Sequence, residues 1–296
     1  YDILEDDDHY DAADPAKTPN AADTKGRAIY AVDVSDGSLR GSMLNYNNSN
    51  YAEMTHSIVD LLAFDADHDA NELIDTVYAG DMGGNLFVFN DRNATGATWS
   101  NQLLFKARDG ATVDSWLKFF YRPAVKQESW GDYVFIGTGG RETPDDNHTE
   151  NFFYGIKNKW DGATILWSAL EDVSSNNYDE TLRTLLKSDA CTGWLIKFDR
   201  DGEKVVSYPL LYEYRDSSLI LHSIVIFTTF TPDPPGVDLC NMEVFGGARI
   251  YLLDYETGEA ASDTNGDGVI DEKDERSIYI GLGMPSAPQI VELKDE

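Results

Sequence analysis

Hydrophobic and polar positions alternate along this chain in short runs, and glycine- or aspartate-rich turns separate the runs. Runs of this length that are rich in β-branched and aromatic residues predict strands. The turn sequences SDG, GGN, RDG and ETG suit the positive-φ or Asx-type positions of hairpins. Strand–turn–strand units are therefore predicted at 28–41, 76–91, 194–211 and 249–260, with shorter related runs at 133–140 and 277–284.

The recurrence of such hairpins predicts an all-β fold, which we interpret as a β-propeller with irregular blades. An open β-sandwich is the alternative. Residues 26–296 form the predicted propeller domain, incomplete within this chain and part of a longer protein, and the acidic residues 1–25 are typical of a tail or surface loop. The stretches 92–131 and 141–191 are interpreted as long insertions between blades.

One short helix is expected over 174–188, because cap residues and first-turn acids precede leucines at 182, 185 and 186. The most apolar run of the chain, Ser218 to Phe230, is too short to cross a bilayer. It is rich in β-branched residues and therefore predicts a buried strand.

The chain is strongly acidic. It has 296 residues, of which 23 are Lys or Arg and 53 are Asp or Glu, so its net charge is −30. Such a charge argues against nucleic-acid backbones and anionic membrane surfaces as partners. It favours cations and a place outside the cytosol, although solubility alone is an alternative explanation.

The acidic stretch 262–275 has the oxygen-donor spacing of an EF-hand-type Ca²⁺ loop. With Asp263 as position 1, the turn glycine falls at position 6 and a backbone carbonyl at position 7. The predicted Ca²⁺ ligands are Asp263, Asn265, Asp267, Val269 and Asp271. Asp274 at position 12 is shorter than the usual bidentate Glu, so the sequence leaves open whether it is also a Ca²⁺ ligand. Ile270 at position 8 is expected to anchor the loop to the core. A merely solvated acidic loop is the alternative.

A weaker copy of the pattern lies at 65–75, where Asp65, Asp67 and Asp69 repeat positions 1, 3 and 5. Ala70 replaces the turn glycine and Leu73 replaces the donor at position 9. The sequence allows a second Ca²⁺ site here, or an acidic turn that leads into the 76–91 hairpin.

No pattern in the sequence predicts an enzyme. The five histidines are scattered without zinc spacing, and there is no nucleophile elbow, phosphate-binding glycine loop or recognisable Cys–His pairing. Carboxylates are so abundant that no pair is distinguished as the acid and base of a glycoside hydrolase. We therefore expect the protein to act by binding.

Several segments resemble, in order along the chain, the C-terminal propeller of the type IV pilus tip adhesins, the PilY/PilC group. They are TVYAGDMGGNLFVFND (76–91), GWLIKFDRDGEKVVSYPLL (193–211), IFTTFTPD (226–233) followed by Cys240 and GGARIYLLDYETGEA (246–260), and GLGMPSAPQIV (281–291). The resemblance covers roughly residues 25–293. The NDGMLHAF-like blade that usually opens the family's propeller has no counterpart, so the chain resembles the later part of a longer protein.

The resemblance implies a Ca²⁺ loop of the Asp-x-Asn-x-Asp type, which falls on Asp263, Asn265, Asp267, Val269 and Asp271. It also implies a place at the cell surface, on the pilus tip or associated with the outer membrane. The implied role is support of pilus biogenesis, control of retraction and adhesion. The implied partners are minor pilins or the pilus tip and a host or surface ligand, although no Arg-Gly-Asp tripeptide is present.

A surface location, implied by the resemblance and favoured by the acidity, leads us to expect a disulfide between Cys191 and Cys240. Two reduced core cysteines are the alternative.

Two other protein classes compete with the pilus interpretation. A secreted FG-GAP-like propeller that recognises carbohydrate or protein also carries Asp-rich Ca²⁺ loops, but it repeats them in successive blades. A quinoprotein dehydrogenase commonly has adjacent cysteines near its cofactor, whereas the two cysteines here are far apart.

Overall fold

Strands dominate the computed structural model, which describes residues 28–39, 44–45, 54, 56–66, 74–90, 99–107, 117–215, 219–232 and 246–291. In chain order the strands are β1 (Ala28–Ile29), β2 (Leu44–Asn45), β3 (Ile58–Phe64), β4 (Thr76–Asp81), β5 (Asn85–Asn90), β6 (Ser100–Lys106), β7 (Ala124–Glu128), β8 (Gly131–Gly137), β9 (Phe152–Asn158), β10 (Ile165–Leu166), β11 (Glu171–Asp172), β12 (Gly193–Lys197), β13 (Lys204–Val205), β14 (Leu210–Arg215), β15 (Leu221–Thr231), β16 (Gly247–Asp254) and β17 (Ser277–Leu282). A 3₁₀ turn covers Trp167–Ala169, and the helix α1 covers Glu180–Lys187.

Three larger sheets are built on antiparallel strands. The first has the order β10-β6-β5-β4-β3, the second β11-β12-β9-β8-β7, and the third β13-β15-β16-β17 with β14 also paired to β15. In the first two sheets the fifth strand, β10 or β11, is a two-residue segment that runs parallel to its neighbour. A two-stranded sheet of β1 and β2 precedes them in the chain.

The β4–β5 hairpin is closed by a buried carboxylate. Asp81 is fully buried, and its Oδ1 accepts hydrogen bonds from the N–H groups of Gly83 (2.9 Å) and Asn85 (2.8 Å). Its Oδ2 accepts from the amide of Asn85 at 2.9 Å. An Asp that accepts N–H groups further along its own turn fixes the hairpin geometry, which explains the Asp and Asn of the GDMGGN sequence.

Two apolar clusters lie between neighbouring sheets. One cluster packs the first sheet against the second and contains Tyr78 and Val134. Another packs the second sheet against the third and contains Tyr133 and Phe227. Because side chains of a strand alternate between its two faces, β8 sends Val134 to one cluster and Tyr133 to the other. This double burial explains why the run YVFI has no polar position.

A glycine lets an indole ring cover the second sheet. Gly155 on β9 pairs with Trp194 on β12, and a Cβ at Gly155 would lie 2.5 Å from the Trp194 ring. The Trp194 side chain is completely buried, and its Nε1 donates to the carbonyl oxygen of Tyr255 at 3.1 Å. A side chain at 155 would therefore collide with a ring that is held in place from its other end.

The strand-rich fold class is confirmed, and so are the hairpin at 76–91, the buried strand predicted over 218–230, which runs from Leu221 to Thr231, and a helix within 174–188. The turn predicted at 249–260 is present, and an isolated bridge from Leu253 to Ala260 follows it. The helix begins only at Glu180, because the side chain of Asp179 caps it by accepting from the N–H of Leu182. The described sheets do not join into a closed ring.

Two sequence predictions about the arrangement are wrong. The stretches 92–131 and 141–191 are not insertions between blades, because they contain β6, β7 and β9, which are full members of the sheets. The run 194–211 is not a hairpin, since β12 pairs with β9 in the second sheet and β13 pairs with β15 in the third.

Residues 1–25, the predicted tail or loop, lie outside the described residues. Among the helical residues that are described, none forms a segment long and apolar enough to span a membrane.

Candidate metal loop and its attachment to the second sheet

The loop 263–274 connects β16 to β17 and is built from successive Asx turns. Asp263 accepts hydrogen bonds from the N–H groups of Gly266 (2.6 Å) and Gly268 (2.9 Å). Asn265 accepts from the N–H of Asp267 at 2.8 Å. Asp267 in turn accepts from the N–H of Val269 at 2.9 Å. Short polar side chains at alternate positions therefore determine the path of the backbone.

Two glycines permit the tight curvature of this path. Gly266 and Gly268 have φ of +77° and +87°, in the left-handed region that residues with a Cβ rarely adopt. Gly268 is the turn glycine that the donor spacing predicts. The backbone conformation therefore agrees with the sequence pattern at position 6.

The carboxylate of Asp274 lies inside the loop and is only 2% exposed. One oxygen accepts from the N–H groups of Thr264 (2.7 Å) and Asn265 (3.2 Å), and the other accepts from the N–H of Asp271 (2.8 Å). These bonds, and first the one from Asp271, hold the pKa of Asp274 below its usual range. Asp274 therefore holds the loop backbone by accepting its N–H groups. The donor spacing of the sequence, in which Asp274 is only position 12, does not predict this role.

Asp271 is engaged by a neighbouring cation. Its Oδ2 lies 2.8 Å from the Nζ of Lys273, and its Oδ1 accepts from the N–H of the same residue at 2.9 Å. The ammonium group lowers the pKa of Asp271, and the carboxylate raises the pKa of Lys273. This ion pair is exposed to water and contributes little to stability.

The donor chemistry of the loop suits a hard cation, because it consists of carboxylate, amide and backbone oxygens. In the described part of the chain, however, no three His, Cys, Asp or Glu side chains are gathered closely enough to hold a metal ion. The predicted ligands Asp263, Asp267 and Asp271 accept N–H bonds from the loop. Ca²⁺ binding by this set therefore stays a prediction.

The loop is attached to the second sheet by polar contacts, and the prediction that Ile270 anchors it is wrong. The Ile270 side chain is 51% exposed. Instead, Asn176 donates from Nδ2 to the carbonyl oxygens of Glu272 (3.3 Å) and Asp274 (3.2 Å). Asn176 has a φ of +51°, a conformation that Asn tolerates better than most residues.

Arg276, two residues beyond Asp274, makes a second attachment. Its side chain is 9% exposed and donates to the carbonyl oxygens of Val173 (2.5 Å) and Ser174 (3.2 Å). A third contact joins Arg183 of α1 to Glu259 through two hydrogen bonds of 2.9 and 2.8 Å to one carboxylate oxygen. Several hydrogen bonds thus connect the segment from Val173 to α1 with the segment from Glu259 to Arg276. Donor spacing within the loop could not predict these long-range contacts.

The weaker acidic loop is described only at its two ends. Asp65 follows β3, whereas Asp67 and Asp69 lie outside the described residues. At the other end Asp75 is buried, and its Oδ1 accepts from the N–H of Ala66 (2.9 Å) and from the hydroxyl of Thr76 (2.7 Å). Asp75 thus closes the connection that leads into the 76–91 hairpin, and a second Ca²⁺ site stays a prediction.

The predicted disulfide gains no support from the structure. Cys191 is buried, and burial raises the pKa of its thiol. Its Sγ lies 3.3 Å from the N–H of Gly193, next to β12. Cys240 lies outside the described residues, so a bridge between the two stays a prediction.

The comparisons with known proteins agree with the family resemblance. No family model matches the chain. It is 26% identical over 271 residues to a type IV pilus biogenesis factor PilY1 homolog of Xylella fastidiosa, an alignment that covers 80% of this chain and 17% of that relative. In fold it is similar to the crystal structure of the Pseudomonas aeruginosa PilY1 C-terminal domain, with a TM-score of 0.53 and 18% identity, over 82% of this chain and 57% of that one.

The chain therefore has the fold of a pilus-factor C-terminal domain. The protein that it resembles in both sequence and fold is PilY1, and the resemblance to the PilY group is confirmed. The chain spans 17% of the length of the curated relative and 57% of the solved domain.

Proposed function

We propose that this chain is a propeller-type domain of a type IV pilus-associated surface protein and that it supports pilus biogenesis, control of retraction and adhesion. The observation that carries the proposal is the similarity to a PilY1 homolog over 80% of the chain, joined to the fold of a PilY1 C-terminal domain. The location would be the cell surface or pilus tip, and the partners would be minor pilins or other tip components. The function is one of binding, with no reaction.

A propeller is supported by the way in which the sheets repeat. Each of the first two sheets contains four antiparallel strands, β3 to β6 in the first and β7, β8, β9 and β12 in the second, and each pair of neighbouring sheets encloses an apolar cluster. The strands β3 of the first sheet and β7 of the second lie close to one another. Gln127 of β7 donates to the carbonyl oxygen of Ala66, just after β3, at 2.9 Å. Lys126 of β7 forms an ion pair with Glu213 of β14. Meanders that pack face to face around neighbouring first strands are the arrangement of propeller blades.

Ca²⁺ is the proposed cofactor, held by Asp263, Asn265, Asp267, the carbonyl oxygen of Val269 and Asp271. Its support is the oxygen-only donor set, the alternating Asx turns and the left-handed Gly268. When bound, the ion would supply positive charge that offsets repulsion among the acidic side chains. Asp274 holds the loop backbone, and Asn176 and Arg276 hold the loop against the second sheet. The ion would thereby favour the ordered state of the β16–β17 connection over a loosened one.

Calorimetry on the intact protein tests the ion site. We expect one EGTA-sensitive Ca²⁺ site with a dissociation constant of about 10⁻⁴–10⁻³ M, which is usual for extracellular modules. Asp263→Ala should abolish the binding heat. The paired change Asp199→Ala and Asp201→Ala, in an exposed turn outside the loop, should leave it unchanged. Absence of any binding heat at millimolar Ca²⁺ would refute the site.

A genetic experiment tests the function. Asp263 and Asp267 are both replaced by Ala in the full-length protein, and surface pili and attachment are counted, with the Asp199/Asp201 pair as control. We expect fewer pili and weaker attachment in the loop variant alone. Wild-type pilus number and attachment, with normal export, would refute Ca²⁺-dependent pilus control and favour an FG-GAP-like binding module.

A further inference from the structure

A cleft of about 340 Å³ lies on the first sheet, where β5 ends and β6 begins. The loop that follows β9 forms one side of it. Its polar and aromatic lining consists of Asn90, Ser100, Asn101, Gln102, Trp160 and Thr164. Its volume is at the lower end of the ~300–1,000 Å³ that is usual for small-ligand sites.

The lining carries no charged side chain among its described residues. This neutrality is unusual in a chain with 53 acidic residues and a net charge of −30. Asp161, the nearest acid in the loop, is exposed and uses its Oδ1 to accept from the N–H of Ala163 at 2.9 Å. The cleft therefore offers amide, hydroxyl and indole groups, and a ligand there need not neutralise charge.

Strand register places Asn90, Ser100 and Gln102 on one face of the sheet, whereas Asn101 is on the other. Asn90 pairs with Ser100, and Val88 pairs with Gln102 two residues away, so the four side chains share a face. Ser100 Oγ donates to the carbonyl oxygen of Asn90 at 3.0 Å. Amides and hydroxyls provide both donors and acceptors, which is what a polyhydroxylated ligand requires.

The other side of the cleft is held rigidly. The N–H of Trp160 donates to Asn158 Oδ1 at 3.0 Å, and its ring packs edge-to-face on Tyr78 with centroids 6.3 Å apart. Gln102 Nε2 donates to the carbonyl oxygen of Ala163 at 2.7 Å, and the hydroxyl of Thr164 donates to that of Leu103 at 2.7 Å. A wall fixed before the ligand arrives lowers the ordering cost of binding.

We propose that this cleft binds a neutral saccharide, either a single sugar residue or the end of a glycan chain. The Trp160 ring offers an apolar surface for the C–H face of a sugar ring, and the amides and hydroxyls of the opposite wall bind its hydroxyl groups. Acidic saccharides are disfavoured, since the protein as a whole repels anions. Such a site would supply the adhesive contact in the proposed function, but binding to the isolated chain does not depend on pili.

Saturation-transfer NMR on the intact chain tests the site. The probes are the methyl glycosides of glucose, galactose, mannose and N-acetylglucosamine at millimolar concentration, with glucuronic acid as the anionic comparison. We expect signal transfer to at least one neutral glycoside and none to glucuronic acid. Ser100→Trp, at an exposed position, should fill the cleft and weaken binding at least tenfold, whereas Ser38→Trp, in an exposed turn away from it, should not.

Three outcomes would overturn the proposal. They are the absence of transfer to every neutral glycoside, equal transfer to glucuronic acid, and undiminished binding by Ser100→Trp. Trp160→Phe serves as a second variant, because it keeps an aromatic wall and should retain part of the affinity. Absence of saccharide binding by the unaltered chain, with normal piliation, would refute this site alone, whereas the effect of the Ca²⁺-loop variant on piliation tests the proposed function.

Discussion

The guanidinium of Arg276 donates a hydrogen bond of 2.6 Å to the hydroxyl oxygen of Tyr178. Arg276 follows the candidate metal loop, and Tyr178 directly precedes Asp179, the cap of α1. Tyr178 also donates to the carbonyl oxygen of Thr257 at 2.9 Å, and burial raises its pKa well above the ordinary value. The neutral hydroxyl is therefore both donor and acceptor between the second and third sheets. The pair therefore joins the segment after the loop to the segment before α1.

Replacement of Arg276 by Ala should lower the free energy of unfolding by about 1–3 kcal/mol, because buried carbonyl groups would lose their donor. Arg276→Lys should recover only part of the loss, since an ammonium group cannot reproduce the planar fork of donors. Urea denaturation measures both. The control is Arg215→Ala, at an exposed arginine that donates to the carbonyl of Leu219. Equal effects at 276 and 215 would contradict the role assigned to Arg276.

Acidification should loosen the loop 263–274 selectively. The pKa values of Asp271 and Asp274 are lowered, by the Lys273 ammonium group and by loop N–H groups respectively. A carboxylate with a lowered folded pKa stabilises the fold above its unfolded pKa of about 3.9, and this contribution is lost as pH falls through the folded value. The protection factors of the loop amides, which correct exchange for its intrinsic pH dependence, should therefore change little between pH 7 and 5 and fall below about pH 4. In Asp274→Asn the change in loop protection below about pH 4 should be smaller, because position 274 can no longer titrate.

Gly155→Ala should destabilise the second sheet by about 1–3 kcal/mol, because the new methyl group would meet the Trp194 ring. Gly247→Ala is the matched control, since it is also a strand glycine and the nearest atom to its Cβ would be 3.4 Å away. The control should change stability by less than about 0.5 kcal/mol. Denaturant midpoints measure both changes. If the two variants have the same stability, the close packing of Gly155 on Trp194 is not a constraint.

After reduction of the protein, Cys191 should react slowly with iodoacetamide in the folded state and rapidly in urea. It is buried and its thiol pKa is raised, and the thiolate is the reactive form. Mass spectrometry of the alkylated peptides measures the two rates. A disulfide-linked peptide containing Cys191 and Cys240 in an unreduced digest would instead establish the bridge expected from a surface location.

Local patterns in the sequence were sufficient for the strand-rich class and for the tight hairpins. The 76–91 hairpin could be predicted because Asp81, Gly83 and Asn85 close it with bonds that span at most four residues. The Asx turns of the loop 263–274 were predictable for the same reason. Such contacts depend on neighbours in the chain, and periodicity and turn chemistry report them directly.

The sequence by itself determined the strand-rich class and the tight turns, but it missed β6, β7 and β9, and only the tertiary structure decided how the strands pair. The strand 194–197 pairs with β9 in the second sheet, and the strand 204–205 pairs with β15 in the third. Trp194, Ile196 and Val205 meet in one apolar cluster between these two sheets, and only the assembled sheets bring them together. Likewise, Arg276 and Asn176 become anchors of the loop only when residues about a hundred positions apart in the chain meet. Pairing and anchoring are decided by the surface buried between distant segments, and no local pattern encodes which distant segment supplies the partner.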